Sequence, residues 1–196
     1  MDAAGALRLE VGAGLGEGAG TVLLVLGDYW QPDCDERTEI GELVCRAKDG
    51  GDPRAASELA ERFASLATAL PEASGGLPPL VVPVPSGPVP ASDGDRPDLA
   101  AKLASSLAAA GAGEYRPSLV IRSNPTPRMR HLAPERRAEV VASAGYRANE
   151  PVAGRHIVVV DDVVLTGTTL NAVAACLHDA GAASVTAATA ARTRRR

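Results

Sequence analysis

I-V-V-V-D-D-V-V-L-T-G-T-T-L, residues Ile157 to Leu170, is the stretch whose reading decides the fold. Four β-branched apolar residues in a row predict a strand buried on both faces, as in a parallel sheet. Asp161 and Asp162 follow where that strand should leave the core. A short turn with Thr166, Gly167, Thr168 and Thr169 comes next, and then a helix. Leu170, Val173, Ala174 and Leu177 stand at i, i+3, i+4 and i+7 of that helix, with Gly181 just past its end.

The chemistry follows from this layout. A strand–loop–helix unit aims free backbone N–H groups and the positive end of a helix dipole at one point, which suits a phosphate. Gly167 lets the backbone approach closely, and the threonine hydroxyls add donors. Asp161 and Asp162 would repel a phosphate; they suit ribose hydroxyls or a hydrated Mg²⁺. Phosphate at one end and diol or metal at the other describes a ribose 5-phosphate. The plainer reading of the same residues is a buried strand, a capped helix and two solvated acids.

The stretch resembles the PRPP-binding motif of the type I phosphoribosyltransferases: a hydrophobic strand, two acids, two or three apolar residues, then T-G-x-T. It is not a Walker loop, because no G-K-[ST] follows the glycine, and it lacks the G-x-G-x-x-G dinucleotide fingerprint.

The rest of the chain is compatible with that resemblance. Its 196 residues suffice for one α/β domain with a full core. Apolar residues make up 45% and charged residues 22%, an ordinary globular balance, while 3% aromatic content leaves the core to Val, Leu and Ala. No run of about 18 apolar residues predicts a membrane span. Asp2 and the absence of a basic n-region argue against a signal peptide, so a cytoplasmic location is expected. Cys34, Cys45 and Cys176 form no C-x-x-C pair, which disfavours zinc. A net charge of −4 argues against general nucleic-acid affinity, although Arg122, Arg128, Arg130, His131, Arg136 and Arg137 crowd one segment.

In chain order, residues 6–11 and 21–26 predict an N-terminal hairpin joined by a glycine-rich connection. Trp30, the single tryptophan, reads as edge packing, with base stacking as the alternative. Ile40 to Ala47 and Leu59 to Leu70 predict helices separated by the turn D-G-G-D-P. Lys48 reads as a solvated cation at a helix C-terminus. Leu80 to Val84 predict a core strand, with Pro83 fitting best near its end. Pro85-Ser86-Gly87-Pro88 then form a loop at that sheet end, either a plain turn or a set of N–H donors for an anion. Asp98 to Ala110 predict a helix and Ser118 to Arg122 a third strand. Pro125, Pro127 and Pro134 break helix, so residues 122–134 predict an extended cationic loop, either solvated or closing over an anion as a lid. A helix should run from Pro134 to about Ala144, and a last strand from Ala183 to Ala190.

Beyond the central motif the chain resembles the ComF family of phosphoribosyltransferase-like proteins. L-V-C-R-A-K-D-G-G-D, residues 43–52, resembles that family's apolar-x-x-x-K-x-x-G segment, with Lys48 at the lysine. V-V-P-V-P at 81–85, R-S-N-P-T-P-R-M-R-H-L at 122–132 and A-R-T at 191–193 resemble its first core strand, basic loop and C-terminal end. The chain departs from the family in its N-terminus, a cysteine-free hairpin in place of a zinc ribbon. It departs again at G-P-V-P-A-S-D-G-D-R, residues 87–96, at Met129 in place of a glutamine, and at Leu165, where purine-salvage relatives carry an acid.

The resemblance implies an α/β, type I phosphoribosyltransferase-like fold: a central, mostly parallel sheet flanked by helices, with a small N-terminal hairpin or hood. One domain would span 1–196, with the hairpin at 1–30, the core at 31–193 and a basic tail at 194–196. Asp161 and Asp162 would hold ribose hydroxyls and Mg²⁺ through water. Thr166, Gly167, Thr168 and Thr169 would cradle the 5-phosphate of PRPP. Ser86 and Gly87, with Arg128 or Arg130, would take pyrophosphate as a base attacks C1. A homodimer is compatible with this reading. The rival is a PRPP- or nucleotide-sensing accessory protein of DNA uptake or regulation, without turnover; a nucleic-acid binder is the weaker third.

Overall fold

A computed structural model describes residues 7–10, 22–71, 76–86, 98–125 and 134–193. The apolar run at 157–160 is the middle of a nine-residue strand, β7 (His156–Val164), and lies inside a six-stranded sheet. Its companions are β1 (Leu7–Glu10), β2 (Val22–Asp28), β3 (Leu80–Pro83), β4 (Glu114–Tyr115) and β8 (Ser184–Arg192), in the order β1-β2-β8-β7-β3-β4. β1 runs antiparallel to β2, and every other pair in the sheet is parallel. The expected hairpin is therefore present, and its second strand is stitched to β8 as part of the main sheet.

Five helices flank the sheet: α1 (Glu39–Lys48), α2 (Pro53–Ala64), α3 (Leu99–Leu107), α4 (Pro134–Ser143) and α5 (Thr168–Asp179). The period of two in a strand sends alternate side chains to opposite faces. Val158 and Val160 join Leu43, Val44, Leu59, Phe63 and Leu103 of α1, α2 and α3 in one core. Ile157 and Val159 join Leu170, Val173 and Leu177 of α5 in the other. Both layers are dry, which is why the strand could be read as apolar throughout.

Local sequence sets the helix ends. Thr38 caps α1 by accepting from Gly41 N at 3.0 Å, and its hydroxyl donates to the Asp28 carbonyl. Asp52 caps α2 by accepting from Arg54 N and Ala55 N at 2.9 and 3.2 Å, with Pro53 at the first helical position. Gly181, at φ 95°, ends α5 as its position suggested.

Two strands lie outside the central sheet. Residues 118–122 contain β5 (Val120–Arg122), which pairs antiparallel with β6 (Tyr146–Ala148) in a separate ribbon. The edge position beside β3 is occupied by the short β4, and Arg116 N still donates to Val81 O at 2.9 Å. Pro117 then turns the chain, and Leu119 and Val120 bury against the α5 layer. Among the described residues, no helix is long and apolar enough to cross a membrane.

Candidate functional site

The sheet ends unevenly. β3 stops at Pro83, opposite Val160, and its last link is Val84 N donating to Val160 O at 2.8 Å. β7 continues, because β8 carries the ladder on through Asp161↔Thr189, Val163↔Ala191 and Val164↔Arg192. Asp161 and Asp162 thus belong to the strand itself; the expectation that they follow it is corrected. With β3 gone, the Asp162 N–H is accepted by Asp161 Oδ1 at 2.8 Å.

Adjacent residues on a strand face opposite ways, and the two acids divide accordingly. Asp161 borders a cleft lined by Val163 to Leu170, which contains Thr166, Gly167, Thr168 and Thr169. Asp162 is 8% exposed and points to the α1 side, where Lys48 meets it. Lys48 Nζ stands 2.7 Å from Asp162 Oδ1 and 2.6 Å from Oδ2. Lys48 does stand in the last turn of α1 with an exposed side chain, as its reading as a helix-end cation expects, and in addition its ammonium reaches over the sheet end to Asp162. Spacing could not reveal a contact 114 positions away; the lysine of the K-x-x-G segment was the only signal for it.

The electrostatics are uneven too. Burial and the neighbouring Asp162 charge push the Asp161 carboxyl up to about 7, while Lys48 and the Asp162 N–H pull it back. Burial draws the Lys48 ammonium toward a lower value, but the charge and hydrogen bond of Asp162 outweigh it and leave its pKa raised.

Thr168 and Thr169 are the first residues of α5, not part of a preceding turn as expected. Gly167 is the N-cap, at φ 74° and ψ 0°, a left-handed conformation that favours glycine. Its carbonyl accepts from Asn171 N at 2.8 Å, which opens the helical ladder. A glycine cap brings no side chain to the first-turn N–H groups. Thr166 and Thr168 share a hydroxyl–hydroxyl bond of 2.8 Å beside them. The loop thus offers backbone donors, hydroxyls and a helix dipole to one cleft, with a carboxylate at its border.

Ser86 follows β3 and is exposed. Its hydroxyl donates to Asp98 Oδ2 at 2.9 Å, and Asp98 in turn caps α3. Arg122, not expected among the site residues, donates from Nη2 to the Ser86 carbonyl at 3.2 Å. Burial raises the pKa of Tyr146, against the opposing pull of the Arg122 guanidinium. A cation therefore stands at the Ser86 loop, supplied by the β5–β6 ribbon. Gly87, Arg128 and Arg130 lie outside the described residues, as do residues 126–133 of the lid expected over 122–134.

The donor set fits Mg²⁺ only in part. Among the described residues, no group of three or more His, Cys, Asp or Glu side chains could hold a metal. Mg²⁺ commonly takes one or two carboxylates and completes its shell with water and substrate phosphate oxygens, which this pair can support.

The model of the phosphoribosyl transferase domain matches residues 56–196. A comparison with curated proteins finds no match.

Proposed function

The chain belongs to the phosphoribosyl transferase domain family, and from that premise we propose that it is a Mg²⁺-dependent enzyme that binds PRPP and transfers the phosphoribosyl group to a nitrogenous base, releasing pyrophosphate. The observation that carries this reading is the cleft in which Asp161 and the Thr166–Thr169 loop stand together.

Each residue has a role in it. The N–H groups and hydroxyls of Thr166, Gly167, Thr168 and Thr169 take the 5-phosphate at the α5 N-terminus. Asp161 and Asp162 take ribose hydroxyls and the metal's water. Ser86 and Gly87 take the pyrophosphate, with Arg128 or Arg130; Arg122 joins them through its contact with the Ser86 carbonyl. Mg²⁺ supplies, when bound, charge neutralisation on the diphosphate. The bond from C1 to the pyrophosphate oxygen lengthens first, and the base nitrogen closes on an oxocarbenium-like C1. No residue of the cleft is an obvious general base, so the proton of the attacking nitrogen passes to solvent, and rate depends on holding the two reactants in line and on cations at the leaving group. All 196 residues act as one domain in this proposal, 1–30 being the hairpin.

Leu165 favours a second reading. It lines the cleft where purine-salvage relatives carry an acid, and it can move no proton. A PRPP-sensing protein without turnover, of the ComF-like kind, would tolerate that.

Calorimetric titration of PRPP with Mg²⁺, on the native protein and on Asp161→Asn/Asp162→Asn, tests the site. Binding abolished by the double substitution is the expected outcome. A screen of bases for pyrophosphate release then separates enzyme from sensor. Absence of binding to the native protein would sink both.

A further inference from the structure

Lys48 does more to the acidic pair than neutralise it at a distance. Its Nζ is almost equidistant from the two oxygens of Asp162, at 2.7 and 2.6 Å, which is the position a bidentate cation takes up. The Asp162 side chain is 12% exposed and that of Lys48 is 48% exposed. An ammonium on a largely exposed side chain thus sits at contact distance on both oxygens of a carboxylate that itself has little contact with water. The charges that act on it are those of Asp162, Asp161 and Asp49. With the lysine in place the charge of Asp162 is neutralised and both of its oxygens are engaged.

A free divalent cation gains little there. It would have to displace an ammonium held at contact distance, or sit beside it and be repelled. A metal bound to a diphosphate meets a different balance. The metal offers the carboxylates a dication, and the phosphate oxygens offer the ammonium new anionic partners. A four-carbon stem with freely rotating bonds lets Lys48 make that exchange without moving α1.

We propose that Lys48 is the resident counter-cation of the Asp161–Asp162 pair, which keeps free divalent cations off Asp162 and yields it only to a metal delivered with a diphosphate. The first half stands on the ion-pair geometry alone. The second half rests on the PRPP reading above.

Mn²⁺ titration followed by electron paramagnetic resonance, without PRPP, tests the first half. Lys48→Met is expected to bind Mn²⁺ at least about tenfold more tightly than the native protein. Lys48→Arg should behave like the native protein, and Lys48→Met/Asp162→Asn should lose the gain. Equal Mn²⁺ affinity in the native protein and Lys48→Met overturns the proposal.

Nuclear magnetic resonance of ¹⁵N-labelled lysine ammonium groups gives the same answer on the native protein. Mg²⁺ alone should leave the Lys48 signal in place, and Mg²⁺ with inorganic pyrophosphate should shift it. A shift with Mg²⁺ alone overturns the first half, and no shift with Mg²⁺–pyrophosphate overturns the second. Failure of PRPP to bind would count against the enzymatic reading while leaving the Mn²⁺ comparison standing.

Discussion

The indole of Trp30 donates from Nε1 to Oγ1 of Thr193 across 3.1 Å, tying the chain just past β2 to the chain just past β8. Thr193 N in turn donates to Val164 O at 2.8 Å, at the end of β7 where the loop to α5 begins. Thr193→Val removes the indole's acceptor and keeps the shape. It should cost about 1 kcal/mol in urea unfolding. Because Trp30 is the single tryptophan, its emission should shift in the same variant. An unchanged spectrum would show that the bond does not hold the ring.

Gly41 marks a close crossing. A Cβ there would stand 2.0 Å from the Tyr29 carbonyl oxygen, a backbone atom that has no freedom to withdraw. Gly41→Ala should therefore destabilise the protein by about 2–3 kcal/mol although alanine is the better helix former. Chemical denaturation measures this, and a neutral or stabilised variant would mean that α1 can lift from the sheet.

Asp161 links stability and ligand binding to pH with opposite signs. Its folded value is raised to about 7 from 3.8, so the folded protein binds a proton that the unfolded chain releases. Its destabilising effect is complete above about pH 7 and is relieved as pH falls toward 4. Asp161→Asn should accordingly raise the melting temperature at pH 8, by on the order of 2 kcal/mol in stability, and change little near pH 4. On the function proposed above, Mg²⁺-dependent PRPP binding uses the carboxylate and should strengthen as pH rises through 7. Calorimetry at pH 6 and pH 8 checks the second effect and thermal melts the first.

His156 works the other way. It is 8% exposed at the amino end of β7, with Nδ1 on Ser184 Oγ and Nε2 3.4 Å from Thr186 Oγ1. Burial lowers its pKa below 6.5. The folded state resists a proton that the unfolded chain accepts, so this contribution is complete above pH 6.5 and is lost as pH falls below it. His156→Gln should flatten the acid side of a stability–pH curve. A curve as steep as that of the native protein would assign the acid sensitivity elsewhere.

The sheet and the strand–loop–helix turn were legible in the sequence because each had a local signal. The β-branched run at 157–160 favours a strand covered on both sides, and the 3.6-residue repeat from Leu170 marks a helix after T-G-T-T, although the helix takes in Thr168 and Thr169 as well. Lys48 was not legible from spacing, because its partner is set by how α1 lies on the sheet. Arg122 was misjudged for the opposite reason. Its strand had a clear pattern, but nothing local says that β4, two residues long, takes the sheet edge and sends β5 to the ribbon. The lengths of β3 and β7 are likewise settled by their neighbours, which is why the acids remain within a strand whose unbroken apolar run ends before them.

The placing of α1 has a consequence for what the chain can tolerate. Thr38 and Gly41 fasten the start of that helix to Asp28 and Tyr29 at the end of β2, and Lys48 meets Asp162 on β7, two strands away. Ten residues make about 15 Å of helix, and two strand spacings are about 10 Å, so α1 works as a ruler laid obliquely across β8. One residue added or removed between Gly41 and Lys48 would swing the lysine by about 100° around the axis and leave Asp162 without its partner, with every residue of the cleft itself intact. The spacing from Thr38 to Lys48 is thus as much a part of the site as the two acids.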